Sequence, residues 1–553
     1  MELHDENSFK IRGYQNAIFN LEKVEATLAN MSEEELSSLE GVGKSIAKSI
    51  YELAQTNTTE TLQTFQENTP EGIIELLDLK GIGPKKIKVL WQELGIESGY
   101  ELKEAATTGK VASLKGFGEK TQQKILDLLA FKEANAHKLH YAEAEKLAEE
   151  ITEKLEQCPV IEEVRITGAL RRQLEIAEAI TLLAASEDFD QMEKEISALA
   201  DFNQNEPSSG PITWRGNYGS SQIPIIIHFC QPKTIVREQL LRTGSEAHLY
   251  AKTDDMKTLR DLIFEKEYET EEDFYKAIGW SFVPAELREG HFEIQTAKSK
   301  NLPELVEMKD LKGILHNHST YSDGRHSLKE MAEYCKSLGY AYLGICDHSQ
   351  SAFYANGLDE TRVKKQHEEI EVLNENLKPF KILKGIESDI LNDGALDYDE
   401  KVLETFDFIV ASIHSNLNMP KQKATERLLK AIKNPFTSIL GHPTGRLLLR
   451  REGYPIDHKA IIDACAEEGV AIEINANPWR LDLDWRWVNY ALEQGVKIAI
   501  NPDAHSKEGY HDMRYGLLIG RKGGLTAKMT LNAMSLTAIE AYFANQKKKR
   551  LNG

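Results

Sequence analysis

GILHNH at residues 313–318 sets the pattern of the C-terminal part of the chain: an apolar run delivered straight into histidines. YLGICDH at 342–348, ILKGIE at 382–387, FIVASIH at 408–414, SILGH at 438–442 and IAINPDAH at 498–505 repeat the pattern. GVAIEINAN at 469–477 adds a seventh apolar run. None alternates with polar residues, so each reads as a strand buried on both faces, which argues for a parallel sheet covered by helices. In a β/α barrel the C-terminal ends of the strands meet on one rim, where chemistry is built. With one residue from the loop after the first strand, that rim collects His316, His318, Asp323, His348, Glu387, His414, His442, Asp503 and His505. A metal takes about four to six ligands. Nine therefore imply two or three clustered ions, and clustered ions imply phosphoester chemistry. A lone buried histidine is usually a satisfied core residue, but a full set at strand ends is not explained that way.

HNHSTYSDG, CDHS, GIESDI, SIHS, GHPTGR and PDAHS resemble the motifs of the PHP (polymerase and histidinol phosphatase) family, a distorted (β/α)7 barrel with three metals. The resemblance implies one metal on His316, His318, Glu387 and Asp503, and a second on Glu387, His414 and His442 with Glu387 bridging. It implies a third on Asp323, His348 and His505, while Glu473 and Asn475 fall outside the nine. Mn2+ is the expected metal, with Zn2+ and Fe2+ as alternatives. Divalent cations lower the pKa of water toward about 7, so no Ser or Cys nucleophile is required. Glu387, Asp503 and His316 are the expected catalytic centre. Arg446, with Arg325 and Arg480 on neighbouring rim loops, is expected to clamp phosphate oxygens.

Three motifs near the N-terminus share one form: LEGVGK at 39–44, LKGIGP at 79–84 and LKGFGE at 114–119, each followed by a helical run. One Gly-x-Gly before a helix is weak evidence, whereas three with the same framing are a repeat. They resemble helix-hairpin-helix modules. Gly41, Gly43, Gly81, Gly83, Gly116 and Gly118 let backbone approach phosphate, helix N-termini offer free N–H groups, and Lys44, Lys85 and Lys120 add charge. Such contacts grip DNA without reading bases.

Composition pulls the other way. The chain of 553 residues carries 67 basic and 88 acidic residues, a net charge of −21, which is poor for a general nucleic-acid binder. Attraction must be local, at the lysine-bearing hairpins and a basic tail at 547–550, and strongly salt-sensitive. Five scattered cysteines suit neither a disulfide framework nor a zinc knuckle. With no long apolar run or signal peptide, a cytoplasmic monomer away from membranes is expected.

The stretch IEEVRITGALRRQLEIAEAITLLAAS at 161–186 reads as strand, turn, short helix and strand, with IPIIIHFC at 223–230 as a further strand. Hairpins, this segment, TGSEAH at 243–248 and YKAIGWSFVPAELREG at 275–290 resemble the bacterial family X DNA polymerases almost end to end. The likeness keeps Gly168, Arg171, Arg172, Gly244 and Ser245 as vestigial nucleotide contacts. It departs at the polymerase metals: the serine position reads Ala169, the Asp-x-Asp position reads Ala179-Ile180-Thr181, and the third aspartate falls at Pro224. None of these ligates a hard cation usefully. The lysine used by some lyase-active relatives reads Ser49. ENSFKIRGYQNA at 6–17 matches the family's second helix, so either its first is absent or the start site is misassigned.

The expected architecture is multidomain: helix-hairpin-helix domains at 1–75 and 76–145, an α+β palm at 146–235, a thumb at 236–305 and the PHP barrel at 306–553. The expected function is a repair-type 3′–5′ exonuclease acting on gapped, nicked or 3′-end DNA, with 3′-phosphatase or abasic-site cleavage as further activities. Three competing readings are an active templated polymerase, a small-molecule phosphatase of the histidinol-phosphatase type, and a non-enzymatic DNA-end binder.

Overall fold

The computed structural model describes residues 1–21, 24, 27–79 and 81–552; Lys80, inside the second glycine motif, lies outside them. The chain forms two compact units, Met1–Ala136 and His137–Gly553.

Among its described residues the first unit holds helices and no strand. It has two small cores. One gathers Ala17, Leu36, Val42 and Ala47. The other runs from Leu3 and Ile73 through Ile87 and Leu90 to Ile125 and Leu129. The unit ends earlier than the expected boundary at 145, because Tyr141 and Ala144, on the helix Tyr141–Leu155, are buried in the palm core instead.

In the second unit a five-stranded sheet runs in the order Glu163–Ile166, Ile180–Ala185, Ile225–Cys230, Thr213–Tyr218, Phe202–Gln204. Its middle pair is parallel, with Ile180 opposite Ile225, and its other pairings are antiparallel. Trp214, on the strand Thr213–Tyr218, is fully buried in the core that the sheet covers. Short helices from Ile235–Thr243 to Phe292–Lys298 pack around a separate core that includes Phe274, Tyr275 and Val283.

Seven parallel strands follow in simple sequence order: Gly313–Ile314, Tyr342–Ile345, Lys381–Asp389, Phe408–Ser412, Ile439–Leu440, Ala471–Asn475 and Ile498–Asn501. A parallel bridge between Asn317 and Ala504, with His318 N donating to Ala504 O, brings the last strand back to the first and nearly closes the barrel. The strands are buried on both faces because helices cover the outside. Those helices carry their own start and stop signals. Ser327 and Glu330 form a capping box for Leu328–Ser337, Asp359 caps Glu360–Leu377, and Asp457 caps His458–Glu468, which ends at Gly469 with φ +68°.

Candidate functional site

All nine rim residues meet at the C-terminal ends of the barrel strands. Glu387, 1% exposed, is the hub. Its carboxylate lies 3.5 Å from His316 Nε2, 3.6 Å from His318 Nε2 and 3.0 Å from His348 Nδ1. The oxygen that faces His316, Oε1, also has His414 Nε2 at 3.2 Å and His442 Nε2 at 3.1 Å, while Oε2 faces His318 and His348. Asp503 Oδ1 is 2.9 Å from His318 Nε2 and 3.7 Å from His316 Nε2. Asp323 Oδ1 stands 3.4 Å from His505 Nε2 and 3.7 Å from His348 Nε2. Asp503 holds φ +53°, a left-handed conformation rare outside glycine and typical of residues fixed for function.

Ligand atoms within 4.8 Å of one another form three overlapping groups: His318, Asp323, His348 and His505; His316, His318 and Asp503; His348, Glu387 and His414. The cluster is therefore more shared than the family partition implies, since His318 and His348 each join two groups. Its donor set suits divalent metals on an independent ground. His316 Nε2, His318 Nδ1, His348 Nδ1, His442 Nδ1 and Glu387 Oε2 are buried without a hydrogen-bond partner. Orphaned buried polar atoms cost about 1–3 kcal/mol each, and a cation is what imidazole and carboxylate in this proportion accommodate.

Burial opposes charge on these groups, yet their neighbours decide the outcome. Burial penalises a cation at His414, but Glu387 and Asp389 outweigh it and lift its pKa to about 10. His505 reaches about 9 by the same contest, through Asp323 and Asp503. His318 falls to about 3, because burial and the adjacent His505 and His348 all favour its neutral form. Burial would raise Glu387, but the surrounding imidazoles hold it well below the ordinary carboxylate value.

A supporting layer escaped sequence reading. Glu473 Oε2 accepts from His316 Nδ1 at 2.7 Å and from Asn501 Nδ2 at 2.9 Å, while its other oxygen accepts from His442 N at 3.2 Å. Asp389 pairs with His414 Nδ1 at 2.5 Å, and Asn475 Nδ2 donates to Asp503 Oδ2 at 3.0 Å. Buried Asp347 accepts from Ser319 N and Oγ, Ser322 N and Gln366 Nε2, fixing the loop that bears Asp323. An acid inside an apolar strand, as in AIEIN, is the available signal, because a buried carboxylate needs partners.

Arg446 sits differently from the expectation. Its guanidinium donates to Arg480 O at 2.9 Å, to Asp484 at 2.6 Å and to Leu481 O, so in this structure its donors tie rim loops together. Arg480 is the arginine that reaches the cluster, its Nε 3.9 Å from Asp503 Oδ2. Arg325 is exposed, with its backbone N–H on His505 O.

The palm residues come together but are spent on structure. Arg171 makes a two-pronged contact with Glu271 at 2.8 and 2.7 Å, and Arg172 donates to Glu289 at 2.9 Å and Thr243 O at 2.8 Å. Ser245 caps the turn Glu246–Leu249, Gly244 ends the helix before it, and Gly168 sits at φ +65° against Thr181.

In the first unit all six motif glycines, with Lys44, Lys85 and Lys120, are exposed. Gly43 and Gly83 are extended N-caps of Lys44–Thr56 and Pro84–Leu94. The third motif differs: Gly118 opens the helix Gly118–Asn135 itself, at φ +66°.

A helix-hairpin-helix domain model matches residues 1–59, a SAM-like helix-hairpin-helix tandem model matches 73–130, and a PHP domain model matches 315–477. The DNA polymerase/3′–5′ exonuclease PolX of Bacillus subtilis is 37% identical over 98% of this chain and 96% of its own. A probable phosphatase of Thermoanaerobacter sp. is 32% identical over 32% of this chain and 75% of its own. A probable phosphatase of Caldanaerobacter subterraneus is 30% identical over 33% and 73%.

Proposed function

This chain belongs to the PolX family of DNA polymerase/3′–5′ exonucleases, and on that premise we propose that it is a metal-dependent phosphodiesterase that shortens DNA from 3′ ends. The observation that carries this reading is the Glu387 hub, one carboxylate within 3.6 Å of five imidazoles on one rim. The helix-hairpin-helix modules at 1–75 and 76–136 grip the backbone of gapped, nicked or 3′-end DNA through Gly41, Gly43, Lys44, Gly81, Gly83, Lys85, Gly116, Gly118 and Lys120. The palm and thumb at 137–305 guide the strand, and 306–553 cut it. Mn2+ is the proposed metal, two or three ions per barrel. The protein is proposed to work as a cytoplasmic monomer.

Bound divalent cations supply Lewis acidity and acidify water. The residues of the chain set the stage for that. A carboxylate can only accept, so Glu473 fixes His316 with its proton on Nδ1 and leaves Nε2 for the rim. Asp389 does the same for His414. The carbonyl of Asp503 accepts from His505 Nδ1 at 2.9 Å, turning Nε2 toward Asp323. Arg480 offers the nearest cationic donor for a phosphate oxygen.

The palm is proposed to be inactive in synthesis, because Ala179, Thr181 and Pro224 replace its three carboxylates. A second reading, hydrolysis of small phosphomonoesters, is favoured by the phosphatases that match the barrel. One assay separates these: a 5′-labelled primer–template with Mn2+, with and without the four nucleotides, beside a phosphomonoester. Chelator-sensitive shortening of the primer without extension is the expected result. Turnover of the monoester alone would favour the second reading.

A further inference from the structure

Phe353 at 89% and Tyr354 at 67% are the most exposed large apolar side chains among the described residues of the second unit. They do not sit on a loose tip. Their segment closes on itself, with Leu358 N donating to His348 O at 2.8 Å, Ala352 N to Ser349 O at 3.0 Å and Gly357 N to Ala352 O at 3.1 Å. Ser351 N and Gln350 Nε2 both donate to Asp397, and Arg362 donates to the carbonyls of Asn356 and Gly357. Ala352 and Ala355 are buried, so the turn Phe353–Ala355 is pinned on one side, with Phe353 open to solvent and Tyr354 leaning over the rim. A Cβ at Gly357 would fall 1.9 Å from Ser349 O, so the closure is tight. This fixed turn stands at the metal rim, the Tyr354 ring 6.1 Å from that of His348 and 6.5 Å from that of His414.

Leaving a large apolar side chain in water forgoes about 1.5–3 kcal/mol of burial. Scattered exposed rings need no explanation, but a pinned turn that leaves Phe353 open to solvent and sets the neighbouring Tyr354 ring beside a ligand cluster does. We propose that Phe353 and Tyr354 form a nucleobase-stacking platform that seats the terminal base of the strand whose phosphodiester reaches the rim. The proposal rests on the DNA-hydrolase reading above and adds to it two side chains that position the substrate's terminal base. A planar base is the fitting occupant, because every base offers a π-face and stacking needs no sequence-specific hydrogen bonds. A protein partner needs roughly 800 Å² on each side, and the flanks here are polar, with Ser351 and Asn356 on either side of the rings. Seating a terminal base means unpairing it, which costs least where it is already mismatched or single-stranded.

The test uses the full chain with Mn2+ and two 5′-labelled oligonucleotides, one ending in thymidine and one in a tetrahydrofuran abasic unit. The readout is the ratio of their kcat/KM values. Phe353→Ala is expected to lower that ratio about tenfold, in keeping with a stacking contact of 1–3 kcal/mol, and Phe353→Trp to keep it. Tyr354→Ala should lower it in the same direction. A ratio that stays at its wild-type value in both alanine variants overturns the platform while leaving the nuclease reading intact. Loss of a dimer in light scattering with no change in ratio overturns it in favour of self-association. If neither oligonucleotide is shortened by the wild-type chain while a phosphomonoester is turned over, the nuclease reading itself fails and the platform with it.

Discussion

The second unit presents two sets of strand ends, and they are furnished in opposite ways. At the barrel rim six of the seven strands deliver nine ligand side chains to one another, and a further layer of Glu473, Asp389 and Asn475 holds them. In the palm the strands Ile180–Ala185 and Ile225–Cys230 also lie side by side, with Ile180 N donating to Pro224 O at 2.9 Å. That register brings Ala179, Thr181 and Pro224 to neighbouring positions, where a carboxylate set would stand. Among the described residues the groups able to hold a metal are all in the barrel. Apolar strands satisfy a core whether or not chemistry sits at their ends. A buried charge must be partnered, and the palm arginines are partnered by Glu271 and Glu289 instead of by a ligand.

The strongest way to break this contrast is to remove the hub. Glu387→Gln keeps volume but deletes the charge shared by five imidazoles, and is expected to reduce 3′ shortening about 1,000-fold or more. The check is release of nucleotides from a labelled primer, with circular dichroism to confirm the fold. The palm should contribute no templated extension in the same tubes. Robust extension that needs all four nucleotides and survives Glu387→Gln would reverse the contrast outright.

The palm side breaks at Glu271, whose two oxygens serve both Arg171 and Arg288. Glu271→Gln leaves two guanidinium groups without their counter-charge and should destabilise the second unit by about 3–5 kcal/mol, read by denaturant unfolding. If the arginines were kept for nucleotide binding, the variant would instead gain nucleotide affinity at little cost in stability. Acid should reproduce the effect. Burial pushes the Glu271 carboxyl up, but the hydrogen bonds from Arg171 and Arg288 win and hold it at about 2, below its ordinary 4.5. A depressed folded pKa stabilises above the unfolded value, so this contribution is complete above pH about 4.5 and fades as pH falls toward 2. The gap in thermal midpoint between wild type and Glu271→Gln should therefore close across that window.

A milder change addresses the supporting layer of the rim. Glu473→Gln keeps the shape but weakens the grip on His316 and the backbone of His442, and is expected to cost about 10–100-fold in metal affinity or activity. Titration of Mn2+ against initial rate measures it, and an unchanged titration curve would make Glu473 a packing residue.

How much of this was legible in the sequence depended on how locally each feature is decided. The barrel was legible because every strand is doubly buried and the ligands other than Asp323 stand at or just past a strand end, so pattern and chemistry coincide. In the palm three strands were legible, two in the run at 161–186 and one in IPIIIHFC, whereas Phe202–Gln204 and Thr213–Tyr218 were not read. The choice between Arg446 and Arg480 was not. Both lie on rim loops, and only the folded positions of Asp484 and the Leu481 carbonyl decide that Arg446 turns away. The boundary near 136 was missed for a similar reason, since the helix Tyr141–Leu155 has the same amphipathic look whichever core receives it. Phe353 and Tyr354 read as ordinary loop aromatics until their turn is seen pinned beside the rim.

The smallest effect is expected in the first unit, where structure also changes which glycines make a clean test. Gly41 and Gly81 hold φ +75° and +112°, and a Cβ there would meet Asn20 Nδ2 at 2.3 Å or Lys124 Nζ at 2.9 Å. Substituting them strains the backbone, so a loss of DNA binding would not separate folding from contact. Gly43 and Gly83 have φ −77° and −75° with nothing within 4 Å of an added Cβ. Valine fits there without strain and covers the exposed N-terminus of each following helix, which is where a phosphate would approach. Gly43→Val and Gly83→Val should each weaken DNA binding by roughly 1 kcal/mol, a few-fold in Kd, and flatten its dependence on salt as a phosphate contact is lost. Fluorescence anisotropy of a labelled duplex at several salt concentrations reads both quantities. Unaltered affinity and slope in the double variant would detach these loops from DNA and leave the grip to other parts of the chain.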